Sequence, residues 1–263
     1  MESTYHMKNI KNKFYVDPFV YLIILIALIT GMFKSISIIM LIIIIHELGH
    51  IYFLRKYDYT VKRIEIYPFG GVTKIDKNIN TPLHQEMYIS IGGIIFQMIL
   101  FLIFIILYET GTINDNTFFI FKKFNYIFMI FNLLPIVPLD GNVLVNCLLE
   151  RYLPFKKAYF INIVISIIFV LLFLTYNYVF SFNNYVIVSF LVYKIFMAIK
   201  EFKYIHNRFL LERYLYEFPY RKIANERGNS TDILKKETLH FFKADNRYIH
   251  EKQVLSKLFD RST

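Results

Sequence analysis

Six stretches of mostly apolar residues dominate this sequence and set the terms for any fold. They cover 19–33, 35–54, 88–108, 124–149, 158–178 and 185–199, the fourth interrupted by Pro135, Pro138 and Gly141. A helix crossing a bilayer core needs about 20 such residues. The runs therefore predict an all-α polytopic membrane protein of six transmembrane helices. Composition agrees, with 56% of residues hydrophobic and 19% charged, where soluble domains have about 45–50% apolar residues. So much apolar surface excludes a disordered chain, and a single cysteine, Cys147, excludes a disulfide scaffold. The long polar opening, with no small-residue cleavage site after the first run, predicts no cleavable signal peptide. The chain then divides into an N-terminal segment 1–18, a six-span body 19–199 and a charged C-terminal tail 200–263.

The basic residues orient these spans. The chain carries 30 Lys and Arg against 20 Asp and Glu, a net charge of +10. Short loops rich in Lys and Arg stay in the cytoplasm. If six spans alternate sides, 26 of the 30 basic residues fall on the side of the two termini. Both termini are therefore expected in the cytoplasm. The tail also holds nine acidic residues, so it reads as a mixed surface near the membrane and not as a nucleic-acid site.

Ionisable groups inside a membrane are costly and mark function. Within the six runs the acidic residues are Glu47 and Asp140, and the histidines are His46 and His50. Three of the four form His46-Glu47-Leu48-Gly49-His50. Residues i and i+4 share a helix face, so both imidazoles can reach one metal ion. Two neutral imidazoles suit zinc, and catalytic zinc needs a third protein ligand and an open position for water. Glu47, beside the first histidine, can reach that water as general base. This is the HExxH pattern of metalloproteases. The competing reading is a hydrogen-bonded packing cluster without metal, which would bury these groups at a cost of roughly several kcal/mol.

Asp140 is the remaining candidate for the third ligand. It follows Asn132-Leu133-Leu134-Pro135-Ile136-Val137-Pro138-Leu139, where two prolines and then Gly141 break the helix. Broken helices at membrane depth persist only against protein or a water-filled cavity, and a proteolytic site needs such a cavity. A carboxylate capping a proline kink is the alternative for Asp140 taken alone.

These two motifs, HELGH and Asn-Leu-Leu-Pro-(x2)-Pro-Leu-Asp-Gly, resemble in order the signatures of the site-2 protease family of intramembrane zinc metalloproteases. The resemblance covers about residues 35–150. It implies one zinc ion per chain on His46, His50 and Asp140, with Glu47 as catalytic base, and site-shaping or substrate-contacting roles for Asn132, Pro135 and Pro138. Six spans, no insert large enough for a PDZ domain and a cytoplasmic C-terminal segment resemble the sporulation branch of that family. That likeness implies a membrane-associated sigma-factor precursor as substrate, inhibitory membrane partners and residence in the outer forespore membrane. The branch commonly ends in a nucleotide-sensing CBS domain. Here Leu239–Phe242 and Glu251–Phe259 resemble its ends with little between them, so nucleotide sensing is not expected, and the tail is expected to be helical or α+β, as a docking helix pair or a reduced remnant of that domain.

Further features follow from the residues themselves. Val61, Ile64 and Ile66 with Val72 and Ile75 flank Pro68-Phe69-Gly70-Gly71, predicting a β-hairpin whose edge could take an extended peptide as an added strand. Gly92 and Gly93 predict close helix approach. Gln97, one turn on, could hydrogen-bond near the site, although packing is the stronger expectation for it. Cys147 reads as a small buried hydrophobe. Two other activities fit parts of the pattern. One is a site-2-type protease acting on another tethered regulator or on signal-peptide remnants. The other is a zinc or proton transporter, for which polar groups on both sides of the membrane would be expected.

Overall fold

A computed structural model describes residues 14–67, 70–75, 77–176, 182–228, 230–244 and 247–260. The chain forms two compact units. The first comprises 1–77 and 88–131, the second 78–87 and 132–263.

The first unit is built on apolar helices. Helix α1 (Pro18–Thr30) precedes α2 (Phe33–Lys56), which carries the histidine motif. Most of α3 (Leu83–Glu109) and α4 (Asp115–Leu133) complete the helical set. Ile38 and Ile42 of α2, Leu100 and Phe104 of α3, and Phe121 of α4 form a buried core. In it the Phe104 and Phe121 rings stack with centroids 3.6 Å apart. The expected hairpin is present as β2 (Val61–Tyr67) antiparallel to β3 (Gly70–Ile75), while Pro68 and Phe69 lie outside the described residues. A third strand, β1 (Phe14–Val16), joins β2 in parallel, giving the order β1-β2-β3. Local sequence does not announce β1, because its partner Ile64–Ile66 lies about fifty residues further along the chain.

The second unit contains α5 (Asp140–Tyr152), α6 (Phe155–Tyr176) and α7 (Phe182–Leu215). Its C-terminal part folds as a sheet of β4 (Lys222–Arg227), β5 (Thr238–Ala244) and β6 (Arg247–His250), followed by α8 (Glu251–Phe259). Strands β4 and β5 are parallel and β5 and β6 antiparallel. Phe155, Phe209, Leu210, Leu234, Phe242, Val254 and Leu255 form one core, so the first turn of α6 and the end of α7 pack with the sheet and α8.

Two buried ion clusters hold this unit. Lys236 Nζ lies 2.9 Å from Glu150 Oε2 and 3.3 Å from both oxygens of Glu86, which also accepts from Thr81 Oγ1 at 2.6 Å. Burial alone would lower the Lys236 pKa, but Glu150 and Glu86 reverse that and hold it above the ordinary lysine range. Arg213 donates to both carboxylate oxygens of Glu251, at 2.8 and 2.7 Å, and to the carbonyl oxygens of Lys235 and Thr238.

Among the described residues, three helices are long and apolar enough to cross a membrane, namely 33–56, 83–109 and 155–175. Helix α1 has 13 residues, short of the roughly 20 that a perpendicular crossing takes. The fourth apolar run is two helices: α4 begins nine residues earlier than expected, at Asp115, and stops at Leu133 before the prolines, and α5 resumes at Asp140. The charged composition that sets in at Lys200 begins inside α7, which runs on to Leu215.

Candidate active site

The site begins with four consecutive isoleucines, Ile42–Ile45, which lead α2 into His46. One helical turn separates His46 from His50. The rings meet edge to face, with centroids 4.7 Å apart, and the two Nε2 atoms are 3.1 Å apart. One donor atom from each of His46, Glu47 and His50 falls within 4.8 Å of the others. His46 is 2% exposed.

The other ring nitrogens are held by α3 and decide what the Nε2 atoms can do. His50 Nδ1 is 2.7 Å from the carbonyl oxygen of Ile89. A carbonyl only accepts, so the proton sits on Nδ1 and Nε2 keeps its lone pair. Gln97 donates through its amide nitrogen to the carbonyl of Asn125 at 2.8 Å, which leaves its Oε1 toward His46 Nδ1 at 3.3 Å. Both Nε2 atoms therefore turn lone pairs toward each other across 3.1 Å, a separation that a shared cation relieves. Two nitrogen donors each about 2.0–2.1 Å from one zinc ion fit it. Fixing each ligand through its second nitrogen is how proteins set the tautomer of metal-binding histidines. The chemistry of the donor set thus suits zinc.

Glycine brings α3 close enough to do this. A Cβ on Gly49 would stand 2.2 Å from the Gly92 carbonyl oxygen, and one on Gly93 would stand 2.6 Å from His46 Cε1 and from His50 Nε2. The two helices touch backbone to backbone beneath the imidazoles. Phe128 of α4 closes one side, edge to face with His46 at 5.1 Å.

Asp140 belongs to the second unit, as the first residue of α5 after extended Leu139. The segment before it turns tightly: Ile136 N donates to the Leu134 carbonyl at 2.8 Å and Leu139 N to the Ile136 carbonyl at 2.7 Å. The Val137–Pro138 peptide is cis. A Cβ on Gly141 would stand 2.1 Å from the Leu133 carbonyl oxygen, so only glycine fits there. Asn132 and Pro135 are half-buried and Pro138 is exposed along this segment. Gly70 and Gly71 open β3, opposite Tyr67 and Ile66 of β2.

Sequence reasoning missed part of the arrangement. Gln97 is fully buried and bonded to His46, not merely packed. Its position four residues after Gly93, on the same face of an apolar helix, was the available signal. The Glu86–Glu150–Lys236 cluster was missed because α3 and α5 extend past the apolar runs and carry both carboxylates into buried positions. Cys147 is buried as expected, with Sγ 3.6 Å from Glu86 Oε2.

A zinc-suited HExxH helix and an Asp-Gly helix start after a double-proline turn, in a chain of apolar helices, define an intramembrane metalloprotease. Residues 34–113 match peptidase family M50. The chain is 35% identical over 205 residues to stage IV sporulation protein FB of Bacillus subtilis, covering 77% of this chain and 71% of that one. It is 29% identical over 119 residues to a zinc metalloprotease of Methanocaldococcus jannaschii, covering 44% of this chain and 34% of that protein. In fold it is similar to the solved site-2 protease from Methanocaldococcus jannaschii, with a TM-score of 0.50 and 20% identity, covering 75% of this chain and 91% of that chain.

This chain belongs to peptidase family M50, the site-2 proteases. It is an integral membrane zinc metalloprotease that acts on membrane-bound substrates, which sets the transporter reading aside.

Proposed function

We propose that this protease processes a membrane-associated sigma-factor precursor during sporulation, cutting it near the cytoplasmic face of the membrane. The likeness to stage IV sporulation protein FB along 77% of the chain carries this reading. One zinc ion per chain is held by Nε2 of His46 and of His50 and by the carboxylate of Asp140, the last on the strength of its motif. Bound zinc polarises a carbonyl and acidifies water. Glu47 takes the proton of the attacking water and returns it to the leaving amine nitrogen. Gln97 and the Ile89 carbonyl hold the two imidazoles in the tautomer that keeps a lone pair on each Nε2. Asn132, Pro135 and Pro138 shape the segment that presents Asp140.

Six spans, with both termini in the cytoplasm, agree with the placement of 26 of 30 basic residues. In a sporulating cell the enzyme resides in the outer forespore membrane, where membrane proteins hold it inactive until needed. Strand β3, which begins at Gly70 and Gly71 and lies at the edge of its sheet, takes the substrate as an added strand. Proline at Thr73 should slow cleavage and leave zinc content unchanged; unaltered cleavage would exclude the edge as the docking strand.

The function is tested by co-expression with a tethered sigma-factor precursor. The wild type should convert the precursor and Glu47→Gln should not. Conversion by both would remove Glu47 from the chemistry, and conversion by neither would point to another tethered substrate.

A further inference from the structure

Helix α6 is strongly apolar and long enough to cross a membrane. Yet it carries Asn162 and Ser166 four residues apart on one face, 5% and 0% exposed. Buried polar groups in such a helix are costly unless bonded, and these two bond to the segment that bears Asp140. Asn162 and Asn142 form a reciprocal amide pair: Asn142 Nδ2 donates to Asn162 Oδ1 at 3.0 Å, and Asn162 Nδ2 donates to Asn142 Oδ1 at 2.9 Å. Asn142 Nδ2 also reaches Ser166 Oγ at 3.0 Å.

Ser166 Oγ accepts from the backbone N–H of Val137 at 3.3 Å. Its own hydrogen faces two carbonyl oxygens, Asn162 at 2.9 Å and Pro135 at 3.4 Å. The chain is thereby pinned to α6 on both sides of Asp140, at Val137 three residues before it and at Asn142 two residues after. Proline at 138 removes one backbone donor from this turn, so the hydroxyl of Ser166 replaces hydrogen bonding that a continuous helix would supply within itself. Gly141, wedged against the Leu133 carbonyl, removes the remaining slack.

We infer that Asn162 and Ser166 are positioning residues that hold the Asp140 carboxylate in its metal-binding orientation. This rests on the reading of Asp140 as the third zinc ligand. The partners of metal ligands commonly change affinity by about 10- to 100-fold when removed, and these two act one step further back, through the backbone of the turn.

The test is zinc affinity of the purified full-length protein in detergent, measured by competition with a chromogenic chelator. The variants are Ser166→Ala, Ser166→Thr, Asn162→Leu and Asp140→Ala. Leu255→Ala, in the C-terminal core, serves as a control of lowered stability. Ser166→Ala and Asn162→Leu should each weaken zinc by about tenfold. Ser166→Thr, which keeps the hydroxyl, should bind like the wild type. Leu255→Ala should lower the unfolding temperature without changing zinc affinity. Ser166→Ala removes one oxygen atom, so it reports even if Asn162→Leu fails to fold. Wild-type affinity in Ser166→Ala, or an equal loss in Leu255→Ala, overturns the inference. Wild-type affinity in Asp140→Ala instead overturns the assignment of Asp140, and the positioning role with it.

Discussion

Among the buried ionisable side chains of the described residues, one cluster of the second unit and the histidine pair of the first solve the problem of burial in opposite ways. In the second unit, Glu86 and Glu150 share the ammonium of Lys236, a cation the chain itself supplies. In the first unit, His46 and His50 turn two Nε2 lone pairs toward each other at 3.1 Å, with both Nδ1 atoms already held. The first arrangement is closed and reads as structure. The second is an arrangement of nitrogen donors that suits a metal ion and reads as a candidate site. A buried ionisable residue is therefore not by itself a functional signal; what separates the two cases is whether its donor atoms are arranged to take a metal ion.

The largest effect that tests this contrast comes from removing the internal cation. Lys236→Met leaves two buried carboxylates without it, and breaking a buried ion pair from one side costs about 3–5 kcal/mol. The triple variant Lys236→Met, Glu86→Gln, Glu150→Gln should regain most of that stability, measured by denaturant unfolding in detergent. A Lys236→Met protein that stays as stable as the wild type would mean the cluster is not closed in the sense described.

A second, more gradual effect follows from Glu251. Burial would raise its pKa, but the hydrogen bonds from His240 and the Arg213 guanidinium outweigh this and hold it at about 2, below the ordinary 4.5. A carboxyl depressed on folding stabilises fully above the unfolded value and loses that contribution as pH falls through the folded one. Stability of the C-terminal fold should therefore decline between pH 4.5 and about 2. Glu251→Gln should be less stable at neutral pH and should flatten this slope. An unchanged slope in that variant would exclude Glu251 as its source.

The smallest effect sharpens the other half of the comparison. Gln97→Leu removes the partner of His46 Nδ1 and leaves both Nε2 atoms in place, so zinc should weaken by about tenfold, near the low end for such partners. Chelator competition checks it. Wild-type affinity would mean the 3.3 Å contact of Gln97 does not set the tautomer of His46.

The candidate site was legible in the sequence to the extent that its chemistry is local. HELGH spans one helical turn, and the Pro-Leu-Asp-Gly turn announces its own break in the helix. The hairpin was legible for the same reason, through the apolar residues that flank Pro68-Phe69-Gly70-Gly71. What escaped depends on partners distant in the chain. Strand β1 is recognisable only once β2 is in place, and the parallel pair β4–β5 only through its shared core with α6 and α7. Glu86 and Glu150 seemed to lie outside the spans because an apolar run marks where a helix is greasy, not where it ends. Gln97 was visible but ambiguous, since only the Asn125 carbonyl, 28 residues away, fixes which way its amide faces.

The facing imidazoles of α2 are proposed to hold the catalytic metal. X-ray absorption at the zinc edge of the purified, zinc-loaded protein tests it most directly. The wild type should show a first coordination sphere containing two imidazole nitrogens, and His50→Ala fewer. A wild-type spectrum with oxygen ligands alone, or one that His50→Ala leaves unchanged, would contradict it.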